Sequence, residues 1–384
     1  MQAPKLLWTP EASPLVPRQM DAFRALISKK YDLKLGQSGS FRRVRRPAER
    51  VGIADSYEEL HQWSISEPER FWEEIWGFTN VISSAPWDSV LDTTVKMDAI
   101  PKWFRGAKLN WAENQLRRTD SKVALIEVSE PMAGEALSYD RISYAELYHR
   151  VYLVSLALRK LGLKENEVFG YYGPTSSASV ILLLAVNSIG AIWSSAAADF
   201  GAVGVVERFS QLDLWGIVGV NAVRYNGKVL DQREKLETVV ESLEKTRSEK
   251  LHVFVVDYLK EGKRVGEERM MLDELIALGQ AEADRLGVVK GQEKIDFYQS
   301  DFSQPIFILF SSGTTGKVSL VLIHSFAPIP LRFCCTGLLL IRLRSRKRSC
   351  TELEGCYYNR RRSTYSTATS PSLPSSFTTR LRDG

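Results

Sequence analysis

Pro305-Ile306-Phe307-Ile308-Leu309-Phe310 runs directly into Ser311-Ser312-Gly313-Thr314-Thr315-Gly316-Lys317. The first part is a short apolar, β-prone run, the pattern of a buried strand. A strand that ends in a Ser/Thr/Gly loop leaves backbone N–H groups and hydroxyls unpaired at its carboxyl end. Such donors suit a phosphate, because each makes a charge-assisted hydrogen bond in a concavity that only glycine backbone permits. Gly313 and Gly316 allow positive φ and close approach of a ligand. Ser311, Ser312, Thr314 and Thr315 set four hydroxyls around Gly313. A Walker A loop, G-x-x-x-x-G-K-[ST], is excluded: Ser311 stands at its first glycine and Val318 at its last position. A Ser/Thr-rich surface loop is the rival reading.

Upstream of this stretch, strands and helices alternate. Val123–Val128, Val168–Tyr172, Ala191–Ser195, Leu214–Val220 and Leu251–Val256 read as strands. Between them, Leu147, Val151, Val154, Leu158 and Leu161 recur at spacings of four and three residues, one face of a helix. Ser143 and Glu146 form a capping box before that helix and Gly162 ends it. Ser176–Ile189, Gly201–Gln211 and Arg233–Lys245 are further helices, and Gly262–Gln292 is a charged helical excursion. Strands separated by helices of this length imply βαβ units and a parallel sheet, whose ligands bind at the carboxyl ends of the strands. The fold class is therefore α/β, and the phosphate-type loop lies at the correct end of a strand.

Before the alternating region, Tyr57–Gly77 reads as two helical pieces, with Ser66 as N-cap, Glu69 three residues on and Pro68 in the first turn. Trp72, Trp76, Trp103, Phe104 and Trp111 crowd this region, and aromatics at such density pack a core or a domain seam rather than an acyl-group cage. Met1–Ser56 is irregular and basic, with Arg42-Arg43-Val44-Arg45-Arg46 in its middle.

Charge changes sign along the chain. Residues 318–384 hold eleven Lys/Arg against three Asp/Glu, whereas residues 1–317 hold 40 against 43, so the overall +5 belongs to the tail. All nine tryptophans precede Lys317 and all four cysteines (Cys334, Cys335, Cys350, Cys356) follow it. Ser363–Thr379 is rich in Ser, Thr and Pro without apolar periodicity, the composition of a segment that stays disordered. Val318-Ser319 is encodable by GTAAGT, the start of an intron, so a reading frame lost after Lys317 accounts for the change. A genuine basic tail carrying Arg342–Arg348 and Arg360-Arg361-Arg362, binding RNA or anionic lipid, is the alternative. Leu320–Ile341 is broken by His324, Pro328, Pro330 and Arg332 and does not read as a membrane span. The proline-studded N-terminus shows no secretory signal, and a body without cysteine gives no disulfide framework. These features point to a cytoplasmic protein with neither membrane nor nucleic acid as partner.

Four stretches carry a family resemblance. Ser311–Lys317 after its strand resembles the phosphate-binding signature of the acyl-adenylate-forming enzymes, the AMP-dependent synthetase superfamily. Trp103–Asn114 is similar to the W-F-x-G-x-x-L-N-x-A-E-N segment of acetyl- and acetoacetyl-CoA synthetases. Gly190–Gly201 and Asn221–Lys228 resemble the G-A-I-W-S-S-x-x-x-D-F-G and N-A-V-x-Y-N-G-K segments of the acetoacetyl-CoA synthetase branch. Simpler roles exist for the last two, Asp199 as a helix cap and Asn226-Gly227 as a type I′ turn.

The resemblance implies an incomplete N-terminal large domain of an adenylate-forming enzyme, built of parallel βαβ sheets and followed by a disordered basic tail. Its divisions are an irregular arm (1–56), an acetyl-CoA-synthetase-type module (57–115), a partial AMP-dependent ligase domain (116–317) and a non-homologous tail (318–384). It implies a reaction of acetoacetate, Mg-ATP and CoA through an acyl-adenylate, with pyrophosphate and then AMP released. Ser311, Ser312, Gly313, Thr314, Thr315, Gly316 and Lys317 are the expected phosphate contacts, although the family's lysine sits two residues further on, after a proline. The family's adenine-binding Y-G-x-T-E segment, ribose-binding Asp and catalytic Lys have no counterpart in residues 318–384, where Lys347 and Asp383 are the sole residues of their types and stand in other contexts. No residue of this chain is assigned as catalytic or as a metal ligand, and the chain alone is expected not to form the adenylate.

Overall fold

The structure is a computed structural model, and it describes residues 19–31, 54–96, 99, 101–132, 134–245, 247–259, 265–266, 269–311, 319–324 and 341–343. Helices come first: α1 (Gln19–Tyr31), α2 (Ala54–Ser66) and α3 (Pro68–Phe78). Short strands β1 (Ser89–Leu91), β2 (Trp103–Arg105) and β3 (Lys108–Leu109) lead to a one-turn helix, α4 (Trp111–Gln115). A hairpin of β4 (Val123–Val128) and β5 (Tyr139–Ser143) precedes the long helix α5 (Tyr144–Lys160). The alternating region follows as β6 (Val168–Gly173), α6 (Ser177–Ser188), β7 (Ile192–Ala197), α7 (Ala202–Phe209) and β8 (Leu214–Val220). A second hairpin, β9 (Ala222–Tyr225) and β10 (Lys228–Asp231), then leads through α8 (Arg233–Glu244), β11 (His252–Val256), β12 (Met270–Met271) and α9 (Leu272–Arg285). The last strands are β13 (Ser300–Asp301), β14 (Pro305–Ser311), β15 (Ser319–His324) and β16 (Ile341–Leu343).

One large sheet organises these elements, in the order β12-β11-β8-β6-β7-β14-β15-β16. The six strands from β12 to β14 run parallel. Helices cover both faces, as a parallel sheet requires. On one face α5, α6 and α9 bury Val151, Leu182 and Leu275 against Phe169, Trp193 and Phe254. On the other, α7 and α8 bury Phe209, Leu236 and Val239 against Val168, Ile217 and Val255. The strands are apolar on both sides for this reason, which is why β6 and β8 lack alternation in the sequence.

Several local expectations stand and others change. Ser143 caps α5 by accepting from the Glu146 N–H at 3.2 Å, but the Glu146 carboxylate serves Arg150 rather than closing the box. Gly162 has φ +98° just past α5, and Asn226 and Gly227 both have positive φ in the β9–β10 turn. Ser66, by contrast, ends α2; its hydroxyl turns back to the Trp63 carbonyl, and Glu67 occupies the cap position before Pro68. Asp199 caps nothing, since α7 begins after Gly201 without a side-chain cap. Within the arm read as irregular, residues 19–31 form α1, held by burial of Phe23 and Ile27 and by Lys30 and Tyr31, which both donate to the buried Glu74 carboxylate. The sequence puts the end of the fold at Lys317, yet β15 pairs antiparallel with β14 and β16 with β15. The expectation of disorder for the rest of the tail lies outside the described residues.

The aromatic cluster before residue 115 is core. Trp76 meets Phe104 at 4.5 Å and Trp87 at 4.9 Å between ring centroids, and Phe302 closes the group from far along the chain. Within the W-F-x-G stretch Phe104 takes φ +44° and Gly106 φ +90°, and a side-chain carbon at Gly106 would lie 2.6 Å from the Asp88 carboxylate. Only glycine fits there.

Candidate functional site at the carboxyl edge of the parallel sheet

β14 is the strand that delivers the phosphate-type loop. It is anchored from three sides. The Asn187 side-chain amide, buried in α6, donates to the Ile306 and Ala191 carbonyls at 3.2 and 3.1 Å. The Ser194 hydroxyl on β7 donates to the Ile308 carbonyl at 3.1 Å. The Trp111 ring stands edge-on to Phe307 with centroids 5.4 Å apart. Ser311 is thus the last residue of a strand paired with β7 on one side and β15 on the other. Ser312, Gly313, Thr314, Thr315, Gly316 and Lys317 lie outside the described residues, so their grouping as a site rests on sequence and on where β14 ends.

At the same edge β7 exits beside β14 into Asp199 and Phe200. The buried Tyr172 hydroxyl donates to the Phe200 carbonyl at 2.5 Å, and burial, with the nearby Asp199 carboxylate, pushes its pKa up. The Arg208 guanidinium lies 4.5 Å over the Phe200 ring.

A second feature of this edge was not legible in the sequence. The chain leaves β6 by α6 on one face and β8 by α8 on the other, so adjacent strands diverge there, and open α/β sheets bind ligands at such a point. A cleft of about 490 Å³ occupies it, lined among others by Glu127, Arg141, Ser176, Arg224, Asp257 and Tyr258. The amino end of α6 points into it, but the Glu127 carboxylate already accepts from the Ser177 N–H at 3.0 Å and so takes the position an anion would. The Arg224 guanidinium pairs with Glu135 at 2.7 Å, while its buried Nε has no hydrogen-bond partner. Tyr171 beneath the cleft donates to the Pro174 carbonyl, and burial raises its pKa to about 12, so it stays protonated. Arg224 lies inside Asn221–Lys228, where the turn dipeptide drew attention away from the preceding cation.

Among the described residues no three His, Cys, Asp or Glu side chains converge in a way that would hold a metal ion. No described helix is long and apolar enough to cross a membrane.

Comparison with known proteins gives concordant results. The AMP-binding enzyme family matches residues 112–328, which include Ser311–Lys317, and the acetyl-coenzyme A synthetase N-terminus matches residues 57–115. Acetoacetyl-CoA synthetase of Rattus norvegicus is 36% identical over 84% of this chain, and that of Macaca fascicularis 33% identical over the same share. The solved structure of an acetoacetyl-CoA synthetase from Streptomyces lividans superposes with a TM-score of 0.65 at 27% identity, covering 84% of this chain. The chain spans less than half the length of these relatives, 43% of the two mammalian proteins and 44% of the bacterial one.

Proposed function

The chain belongs to the AMP-binding enzyme family, and on that premise we propose that it carries the ATP-phosphate-binding part of an acetoacetate–CoA ligase. In that reaction the acetoacetate carboxylate attacks the α-phosphorus of Mg-ATP, pyrophosphate leaves, and the CoA thiol then displaces AMP from the acyl-adenylate. Most of the barrier to such a step is charge on the departing pyrophosphate, so the enzyme must present fixed donors to it. What supports the reading is the end of β14: a strand at the carboxyl edge of a six-strand parallel layer that leads into Ser311-Ser312-Gly313-Thr314-Thr315-Gly316-Lys317. In this reading the Ser and Thr hydroxyls and the Gly N–H groups take the β- and γ-phosphates, and Lys317 adds a point charge. Arg224, with a donor to spare in the switch-point cleft, takes a phosphate of one of the two nucleotide substrates. The protein acts in the cytoplasm on small molecules.

We further propose that this chain by itself binds Mg-ATP without activating acetoacetate. Residues 318–384 offer Lys347 and Asp383 alone of their types, in no arrangement that resembles the family's lysine or ribose-binding aspartate. Calorimetric titration of Mg-ATP tests the binding half. Thr314→Val with Thr315→Val keeps side-chain size and removes two donors, and is expected to weaken binding at least about tenfold, one to two lost charge-assisted hydrogen bonds. Equal affinity in the two proteins would remove the loop from the site.

A further inference from the structure

Two hairpins stand outside the large sheet, β4–β5 and β9–β10. The inner side of β4–β5 is packed: Ile142 is buried and Leu125 lies against the core of α5 and α6. Its outer side is apolar and bare. Ile126 is 58% exposed, and Val128 and Tyr139, which face each other across the hairpin, are 46% and 50% exposed. A β-bulge near Val123 shifts that residue, 47% exposed, onto the same side. The second hairpin extends the surface with Tyr225, Val229 and Leu230, all exposed. The two are tied together by the Arg224–Glu135 ion pair and by the Asn226 N–H, which donates to Glu130 at 2.8 Å.

A two-stranded sheet is marginal in water, and half-exposed β-branched and aromatic residues gathered on one face mark a surface that something covers. Among the described residues no further strand pairs with β4 or β5. The relatives of known identity are more than twice as long as the region they share with this chain. We infer that the outer face of β4–β5 is the seat for a β-strand segment from the remaining part of an acetoacetyl-CoA-synthetase fold, which adds to the open hairpin and covers Ile126, Val128 and Tyr139. Strand addition supplies backbone hydrogen bonds, and the apolar face supplies burial. The occupant is thus a specific partner, a complementary portion of the same fold, and not a second copy of this chain. This rests on family membership and is independent of the phosphate-loop reading.

The test uses the full chain and, as probe, a recombinant fragment of the Streptomyces lividans enzyme comprising the part this chain does not match. Light scattering and amide hydrogen exchange are followed on mixing. The expected result is a one-to-one complex with exchange slowed at least about tenfold over residues 123–128 and 139–143. The exposed double substitution Ile126→Lys with Val128→Lys should weaken it at least about tenfold, while Val289→Lys, an exposed residue beyond α9, leaves it unchanged. Unaltered far-UV dichroism of the variants establishes that they fold. No complex, protection confined to other segments, indifference to the double substitution, or self-association through this face would each overturn the inference. Complex formation without ATP binding would instead overturn the phosphate-loop reading and leave this one standing.

Discussion

Asn110 shows what the family-like residues do in this chain. It is buried, its amide donates to the carbonyls of Asn187 and Tyr298 at 2.9 and 2.8 Å, and its side-chain oxygen caps α4 through the Glu113 N–H. Asn114 repeats the pattern toward Ile82, whose N–H and carbonyl it holds at 2.7 and 2.8 Å. These residues fasten the N-terminal module to the end of α6 and the approach to β14, so their part in the chemistry is to position. Asn110→Ala would leave buried carbonyls without donors and remove a cap, and is expected to cost about 2–4 kcal/mol in urea unfolding. The sequence displayed the L-N-x-A-E-N pattern plainly, but what the two asparagines touch lies 32 to 188 residues away and no local rule could supply it.

Among the elements, helix α9 is fixed by its closest contact. Gly279 faces α5 so tightly that a side-chain carbon there would lie 2.0 Å from the Leu153 carbonyl oxygen. Helix propensity alone favours alanine over glycine by about 1 kcal/mol. Here the close approach reverses the sign: Gly279→Ala is expected to destabilise by about 1–3 kcal/mol, the usual cost of overpacking, and to lower the melting temperature. An increase in stability would mean that α9 does not pack as described. Element types were readable where periodicity is strong, as in α5, or where both faces are buried, as in β6 and β8. Helix α1 was not, because its helicity comes from docking Phe23 and Ile27 and from the Glu74 carboxylate rather than from its own sequence. The cap at Ser66 failed for the same reason: the turn between α2 and α3 is set by how Trp63 and Phe71 pack, and the hydroxyl was free to turn back onto its own helix.

For the whole molecule, the order β11-β8-β6-β7-β14 joins strands distant in sequence and thereby creates the switch-point cleft. The sequence foretold a parallel sheet and a loop at a carboxyl edge, because both follow from alternation and composition. It did not foretell the cleft, because strand order is a property of crossovers and not of any one segment. The same scale bears on activity. A loop that holds phosphates lowers the barrier only when a cation and an orienting group also meet the attacking carboxylate, and this chain spans less than half the length over which its relatives distribute such groups. The most direct test is acetoacetate-dependent release of pyrophosphate from Mg-ATP by the purified chain. None above the rate without acetoacetate is predicted, alongside measurable Mg-ATP binding; steady release that depends on acetoacetate would contradict the account, since residues of this chain would then complete the adenylating site.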